Sequence, residues 1–371
     1  MEDAWRDYLK AIADCSWVLH HPDTPKDAAT TAAGIANLHR LAQLAWELAF
    51  EYRNVDAPLF FPVSVRNLSH GWNSSNAVYW IAVIDGGRAY AMSGDRGRAP
   101  FMEIGIYDNI DGFAEPGSGG GHLHAAVTER ALGDGQGEIA LRVSPDVDGP
   151  LRTTPGPQCI FVRQYAHDWA KTPPSAGFAL RALNPLRAGE SYESRLRRGL
   201  QDAPRYLANH VALYHGLAVS GRARGSNVLF EIPLDMNATL PSGHRFVSGY
   251  FDLADGEILS IAFRPEDAPY WSLELGDFWG QTFDYDRTLD GDADRFYDRP
   301  ANRSHLHDRD AVREADGSVK IQVGAGSRPA GCANWLDTRG HKVGIVIYRQ
   351  LRKLDCVPRF ETRVIARGDV A

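Results

Sequence analysis

Apolar and polar positions alternate with two different periods along the chain, and the change of period divides it. In residues 3–18, Trp5, Leu9, Ile12 and Trp17 recur near helical spacing, which predicts a helix. His20-His21-Pro22-Asp23 breaks it, and Thr24-Pro25 opens a second helix, with threonine as N-cap and proline in the first turn. That helix is expected to run to about Asn54. Ile35, Leu38, Leu41, Ala45, Leu48 and Tyr52 form its apolar stripe. His39 falls off the stripe and reads as solvated.

From Pro58 the period shortens to two. Apolar runs at 59–65, 77–84, 88–93, 101–107, 138–143 and 159–165 are separated by glycine-rich stretches such as 117–121. Asp85-Gly86-Gly87 reads as a hairpin turn between two of them. Runs this short, with no helices between them, predict an antiparallel sandwich or barrel rather than βαβ units. Residues 190–218 interrupt this texture with a helical pattern built on Leu196, Leu200, Tyr206, Leu207, Leu213, Tyr214 and Leu217. Pro204 is expected to kink or break it. Strand texture then returns at 228–232, 246–253, 257–263, 270–275, 281–285, 319–323, 344–349 and 360–365. Residues 290–313, charged and poor in aliphatics, are expected to be a surface loop or lid. The expected organisation is a helical segment 1–57, a first β unit 58–189, a helical connection 190–226 and a second β unit 227–371.

With 371 residues the chain is long enough for two cores. Hydrophobic residues at 44% and charged residues at 23% have the balance of a soluble globular protein. A net charge of −7 without a basic block argues against a nucleic-acid partner. Cys15, Cys159, Cys332 and Cys356 form no C-x-x-C pair and are expected to be buried free thiols. The start of the chain has neither a basic nor an apolar leader region, and no run approaches the ~20 apolar residues of a membrane helix. The expected location is therefore cytoplasmic, with no membrane partner.

Several motifs together resemble domain-of-unknown-function family twelve-fourteen. They are Tyr270-Trp271-Ser272-Leu273, Trp279, Asp284-Tyr285, Asp316-Gly317-Ser318-Val319 and Asn334-Trp335-Leu336-Asp337-Thr338, followed by Gly340-His341 and Gly344. Upstream, Gly71-Trp72-Asn73, Tyr79, residues 88–97, Phe161-Val162-Arg163-Gln164-Tyr165 and Asp168-Trp169 are similar to the longer members, so the resemblance spans roughly residues 60–367. It implies paired β-sandwiches of jelly-roll type and no settled activity. The expected fold class is thus mainly β with a helical N-terminus and one inserted helical segment, built on two jelly-roll-like antiparallel β-sandwiches. Relatives tend to carry Asp-Pro-Gly before Asn-Trp, where this chain has residues 328–333. They tend to have an Asn-Pro-Asp loop where it has Asn73-Ser74-Ser75-Asn76, which removes a carboxylate.

Candidate chemistry concentrates in the last hundred residues. Asp337 could orient the His341 imidazole and leave its other nitrogen as a base, or could simply cap the loop. Arg349 could bind an anion bidentately or form an ion pair inside the sheet. Trp271, Trp279, Tyr285 and Trp335 are candidate apolar walls, with Asn334 beside them. Asp284 and Asp286 flank Tyr285, and Asp286 is a candidate acid–base group; Asp277 precedes Phe278-Trp279. His122-Leu123-His124 and His305-Leu306-His307 would each place two rings on one face of a strand, as a metal site requires. Polar surroundings favour solvated loop histidines instead. There is no G-x-S-x-G elbow, Walker loop or dinucleotide fingerprint.

These features point to an enzyme that acts on a small or medium organic molecule by hydrolysis or another acid–base step, in a pocket of the C-terminal sandwich. No cofactor is expected. The ligand would be a small molecule or glycan, and association of the chain with its own copies is left open. Two alternatives stand beside this reading: a non-catalytic module for a carbohydrate or hydrophobic ligand, and a metal-dependent cupin-like enzyme using the H-x-H pairs.

Overall fold

The computed structural model describes residues 1–63, 71–108, 123–128, 138–148, 151–167, 177–184, 190–232, 243–283, 304–352 and 355–370. Two helices, α1 (Glu2–Asp14) and α2 (Trp17–His20), precede α3 (Ala28–Trp46), whose last turn continues as a wider π turn over Glu47–Glu51. The N-cap of α3 is Asp27, not Thr24: its carboxylate accepts the Thr30 N–H at 2.9 Å. Thr24 is buried, and its hydroxyl donates to the Val18 carbonyl. The buried stripe of α3 runs through Gly34, Asn37, Leu41, Leu44 and Ala45, while Ile35 is exposed. Gly34 takes the place expected for Ile35 because the Trp279 ring lies directly against it.

The first β unit comprises β1 (Phe61–Pro62), β2 (Ala77–Asp85), β3 (Tyr90–Asp95), β4 (Phe101–Tyr107), β5 (Leu123–Thr128), β6 (Glu138–Val143), β7 (Pro157–Tyr165) and β8 (Phe178–Ala182). A five-stranded sheet, β1-β2-β7-β4-β5, faces a three-stranded one, β6-β3-β8. Val78, Trp80, Ile104, Ile106, Ile160 and Val162 from the first pack against Tyr90, Met92, Ile139 and Leu180 from the second. Asp85-Gly86-Gly87 makes the expected turn, with Arg88 N–H donating to Asp85 O at 3.0 Å. It is not a hairpin, however: it carries the chain from one sheet to the other. Turn chemistry fixes the reversal, not which strand becomes the neighbour.

Helix α4 (Tyr192–Ala223) runs unbroken through Pro204, with Ser191 as N-cap accepting the Ser194 N–H. The break expected at Pro204 is absent because the proline is itself buried in the helix packing. The second β unit comprises β9 (Phe230–Glu231), β10 (His244–Asp252), β11 (Glu257–Phe263), β12 (Tyr270–Asp277), β13 (His305–His307), β14 (Val319–Gly324), β15 (Trp335–Asp337), β16 (Val343–Leu351) and β17 (Phe360–Ala366). Sheet β13-β12-β16-β10-β9 packs on β15-β14-β11-β17 around Leu259, Ile261, Trp271, Leu273, Val346 and Tyr348. The fold is thus mainly β, with two sandwiches, a helical N-terminus and an inserted helix.

A third core joins the parts. It takes Leu41 and Leu44 from α3, Leu48 from the π turn that continues it, Tyr206, Leu207 and Val211 from α4, and the outer faces of both five-stranded sheets. Tyr165 meets Tyr270 at 6.0 Å between ring centroids, and Phe101 meets Tyr270 at 5.7 Å. The two large sheets therefore touch each other along a seam, and the helices cover the rest. No helix among the described residues is long and apolar enough to cross a membrane. Cys15, Cys159 and Cys332 are buried free thiols, while Cys356 is only half-buried.

Candidate functional site

The residues expected to converge at the C-terminal sandwich are distributed over separate environments. Trp271 points into the second sandwich, between Phe263 and Tyr348. Trp279 packs under α3, and its indole N–H donates to the Thr30 carbonyl at 2.8 Å. Asp277 caps that turn by accepting the N–H groups of Trp279 and Gln281. Trp335 packs on Ile258 and Cys332, with the Arg367 guanidinium 5.3 Å from its ring. Asn334 staples two loops, accepting from Val312 N–H and donating to the carbonyls of Val312 and Lys320. Asp337 accepts from Gly326 N–H and Arg339 N–H, so it caps the loop and does not orient His341. The His341 ring lies 4.8 Å from Phe283; burial lowers its pKa, and the Asp27 charge opposes that only in part. Asp284, Tyr285, Asp286, Asp168, Trp169 and His122 lie outside the described residues. His124 lies on β5.

Parity explains the scatter. Trp271 is opposite Gln350 and Ser272 is opposite Arg349, so Trp271 and Arg349 stand on opposite faces of one sheet. A carbohydrate platform needs rings open to solvent, and Trp271, Trp279 and Trp335 are buried.

What the structure does bring together lies in the seam. Tyr270, Ser272 and Glu274 alternate along the outer face of β12, and this Y-x-S-x-E pattern is the one sequence signal that the face is polar. Glu274, fully buried, accepts from Arg349 Nη1 at 2.8 Å, Ser74 Oγ at 2.7 Å, Ser272 Oγ at 3.0 Å and Ser75 N–H at 2.8 Å. Arg349 is 1% exposed, and its Nη2 donates to the Trp72 carbonyl at 2.9 Å. Burial works against the guanidinium's charge, but Glu274 and the phenols of Tyr79, Tyr165 and Tyr270 more than offset it. Of the two roles open to Arg349, the ion pair inside the sheet is the one it fills. Trp72, the end of this clasp, has φ +51, a left-handed conformation that costs a bulky residue about 1–3 kcal/mol. The Gly280 carbonyl and Arg349 hold it there.

At the seam's rim, His305-Leu306-His307 forms β13, paired with Glu274 to Ser272. The expectation of solvated loop histidines is therefore corrected: both rings are buried. His167, at the end of β7's strand path, places Nε2 2.8 Å from Asp308 Oδ1. His307 Nε2 lies 3.1 Å from both Asp310 Oδ2 and the His167 carbonyl, while its Nδ1 accepts from Arg309 N–H at 3.2 Å. The His167 and His307 side chains are 4% and 2% exposed, whereas Asp308 and Asp310 are 18% and 26% exposed. The imidazoles thus sit behind carboxylates that reach solvent. Donor atoms of His167, His307 and Asp308 all lie within 4.8 Å of one another. His167 and Asp308 are 141 positions apart, so no local spacing could announce their meeting.

Open clefts and a small cavity lie elsewhere among the described residues. One cleft of about 590 Å³ separates the start of α4 from residues 53–57 and the end of β2. Another, of about 550 Å³, lies between Pro22–Pro25 and the end of α4. The cavity, about 90 Å³, lies between Trp72, Phe230 and Tyr250.

No model of a known family matches the chain, and no curated protein matches it. A putative uncharacterized protein from Burkholderia cenocepacia shares the fold at a TM-score of 0.85 and 22% identity, covering 98% of this chain and 97% of that one. The VPA0106 protein from Vibrio parahaemolyticus aligns at a TM-score of 0.47 and 13% identity, over 87% of this chain and 96% of its own.

Proposed function

We propose that the protein is an enzyme acting on a small or medium organic molecule by a hydrolytic or other acid–base step, with its centre at the seam between the sandwiches. The observation that carries this reading is the 2.8 Å contact of His167 Nε2 with Asp308, formed by groups from different sandwiches. In this pair the carboxylate is the member that reaches solvent, so it is the group that would take a substrate's proton, with the imidazole behind it fixing its orientation and sharing that proton. Tyr270, 5.1 Å from His167 between ring centroids, and Phe101 supply apolar walls. The test is a library of p-nitrophenyl esters, lactones and N-acyl amines, with any substrate turned over by the wild type assayed on folded His167→Gln. Loss of about 100-fold or more in turnover is expected, the scale of a disabled general base. Unchanged turnover would overturn the assignment.

A second reading has its own support, because His167, His307 and Asp308 have the donor set of a transition-metal site. Tetrahedral donors at zinc distances lie about 3.3 Å apart, so the group must contract. His307 must also give up one of the hydrogen bonds that occupy both its nitrogens. Elemental analysis separates the readings: near one equivalent of a divalent metal, lost in His307→Ala, supports the metal centre. Metal-free protein that still turns over substrate supports the dyad.

A further inference from the structure

The 590 Å³ cleft lies on the other side of the first sandwich's large sheet from its three-stranded partner, against α4, and shares no residue with the seam centre. Three guanidiniums line it: Arg53, Arg195 and Arg198. Their states differ. Arg53 pairs with Asp202, which also holds Arg205 at 2.7 Å, and Arg198 pairs with Glu190. Asp56, on the opposite wall, is held by Arg88. Arg195 alone of the three has no ion pair among the described residues; its Nε, like that of Arg198, is buried without a hydrogen-bond acceptor. Its guanidinium carbon stands 5.6 Å from the Phe50 ring centroid, a contact that holds the side chain but does not neutralise it.

An unpaired, partly desolvated cation beside paired neighbours is unfavourable unless an anion completes it. Glu190 does not serve. Burial pushes its pKa up, but the Ser194 hydroxyl and Arg198, with a smaller contribution from Arg195, more than offset this, so its charge is already committed. The remaining wall carries Val55, Ala57, Val83, Ile84 and Pro157 together with Asn54, Gly156 and Asp85, whose carboxylate accepts the Gly87 N–H at 2.9 Å. The cleft's volume is in the range that takes a whole organic ligand, well beyond a single inorganic ion.

We infer that this cleft is a binding site for an organic monocarboxylate, whose carboxylate pairs with Arg195 while its apolar body lies along Val55, Val83, Ile84 and Pro157. The pairs Arg53–Asp202 and Arg198–Glu190 are committed, Arg195 is the one guanidinium of the lining without an ion pair among the described residues, and Asp85 adds a negative charge to the same wall, which favours a monoanion over a polyphosphate. Because the site is separate from the seam, it stands or falls independently of the proposed reaction.

The test is isothermal titration of the full chain with octanoate and 4-phenylbutyrate, each against its uncharged amide. Binding of the carboxylates and at least a tenfold weaker response to the amides are expected. Arg195→Gln should weaken carboxylate binding at least tenfold, and Arg195→Lys should retain part of it. Arg197→Gln, an exposed change next door whose residue pairs with Glu193, should leave binding unaltered. Equal binding of acid and amide, equal binding by wild type and Arg195→Gln, or no binding of either carboxylate at millimolar concentration would overturn the proposal. A thermal-unfolding comparison of the variants separates loss of the site from loss of the fold.

Discussion

Arg349 and Glu274 sit on neighbouring strands, two residues apart in register, and close a 2.8 Å ion pair that solvent does not reach. The pair ties more than its own sheet. Through Ser74, Ser75 and the Trp72 carbonyl it clasps a loop of the first sandwich to the second. The carboxylate accepts from Arg349, Ser74, Ser272 and the Ser75 N–H, which is what makes such a burial tolerable. Removing one partner leaves a buried charge alone. Arg349→Met is therefore expected to lose about 3–5 kcal/mol of unfolding free energy, read from urea denaturation. The double change Arg349→Met with Glu274→Met should recover part of the loss. A single variant as stable as the wild type would show that the clasp does not hold the sandwiches together.

His341 gives a prediction with a sign. Burial lowers its pKa from 6.5, with the Asp27 charge opposing, so the folded chain holds this ring neutral at pH values where the unfolded chain protonates it. Stability from this group is fully present above 6.5 and is lost as pH falls below that value toward the depressed folded pKa. His341→Gln should therefore flatten the fall of the urea midpoint between pH 7 and 5. The flattening will be partial, because burial and the nearby His21 lower the pKa of His215 in the same direction. Since the ring rests on Phe283 and Asp337 is engaged with backbone N–H groups, turnover should be unaffected by the same substitution. A pH profile identical to the wild type would refute the role in stability, and lost turnover would return the centre to the C-terminal loop.

The strands were legible where a period of two ran long enough. The run from Val343 to Tyr348 lies in β16, and the run 257–263 is β11, because the alternation records burial on opposite faces. The three residues of β13 were not legible: they are a strand only because β12 offers them an edge, a fact about residues some thirty positions away. The described members of the candidate site are scattered for a related reason. Rings and ionisable groups crowded into the last hundred residues share a neighbourhood in sequence, yet facing is set by parity and register, which placed Trp271 inside one sandwich and Arg349 outside it. Conversely, His167 and Asp308 meet only because two sandwiches dock, and docking leaves no trace in local spacing.

Gly34 sets two well-measured effects against each other. Within an exposed helix, Gly→Ala gains about 1 kcal/mol from backbone entropy and helix propensity. In α3 the added Cβ would meet Trp279 Cζ2 at 2.5 Å and Leu19 Cδ2 at 2.6 Å. Leu19 can turn aside, since the contact is the tip of a flexible side chain. Trp279 cannot: its ring lies in the shared core, with its indole N–H fixed to the Thr30 carbonyl of the same helix. Overpacking of a rigid core typically costs about 1–3 kcal/mol, so the clash is expected to outweigh the propensity gain. Gly34→Ala should then unfold at a lower urea midpoint than the wild type. The paired change Gly34→Ala with Trp279→Phe, which removes the atoms that collide, should destabilise by less than the sum of the two single changes. A stabilised Gly34→Ala single variant would mean that the ring yields and that α3 is not locked against the turn after β12.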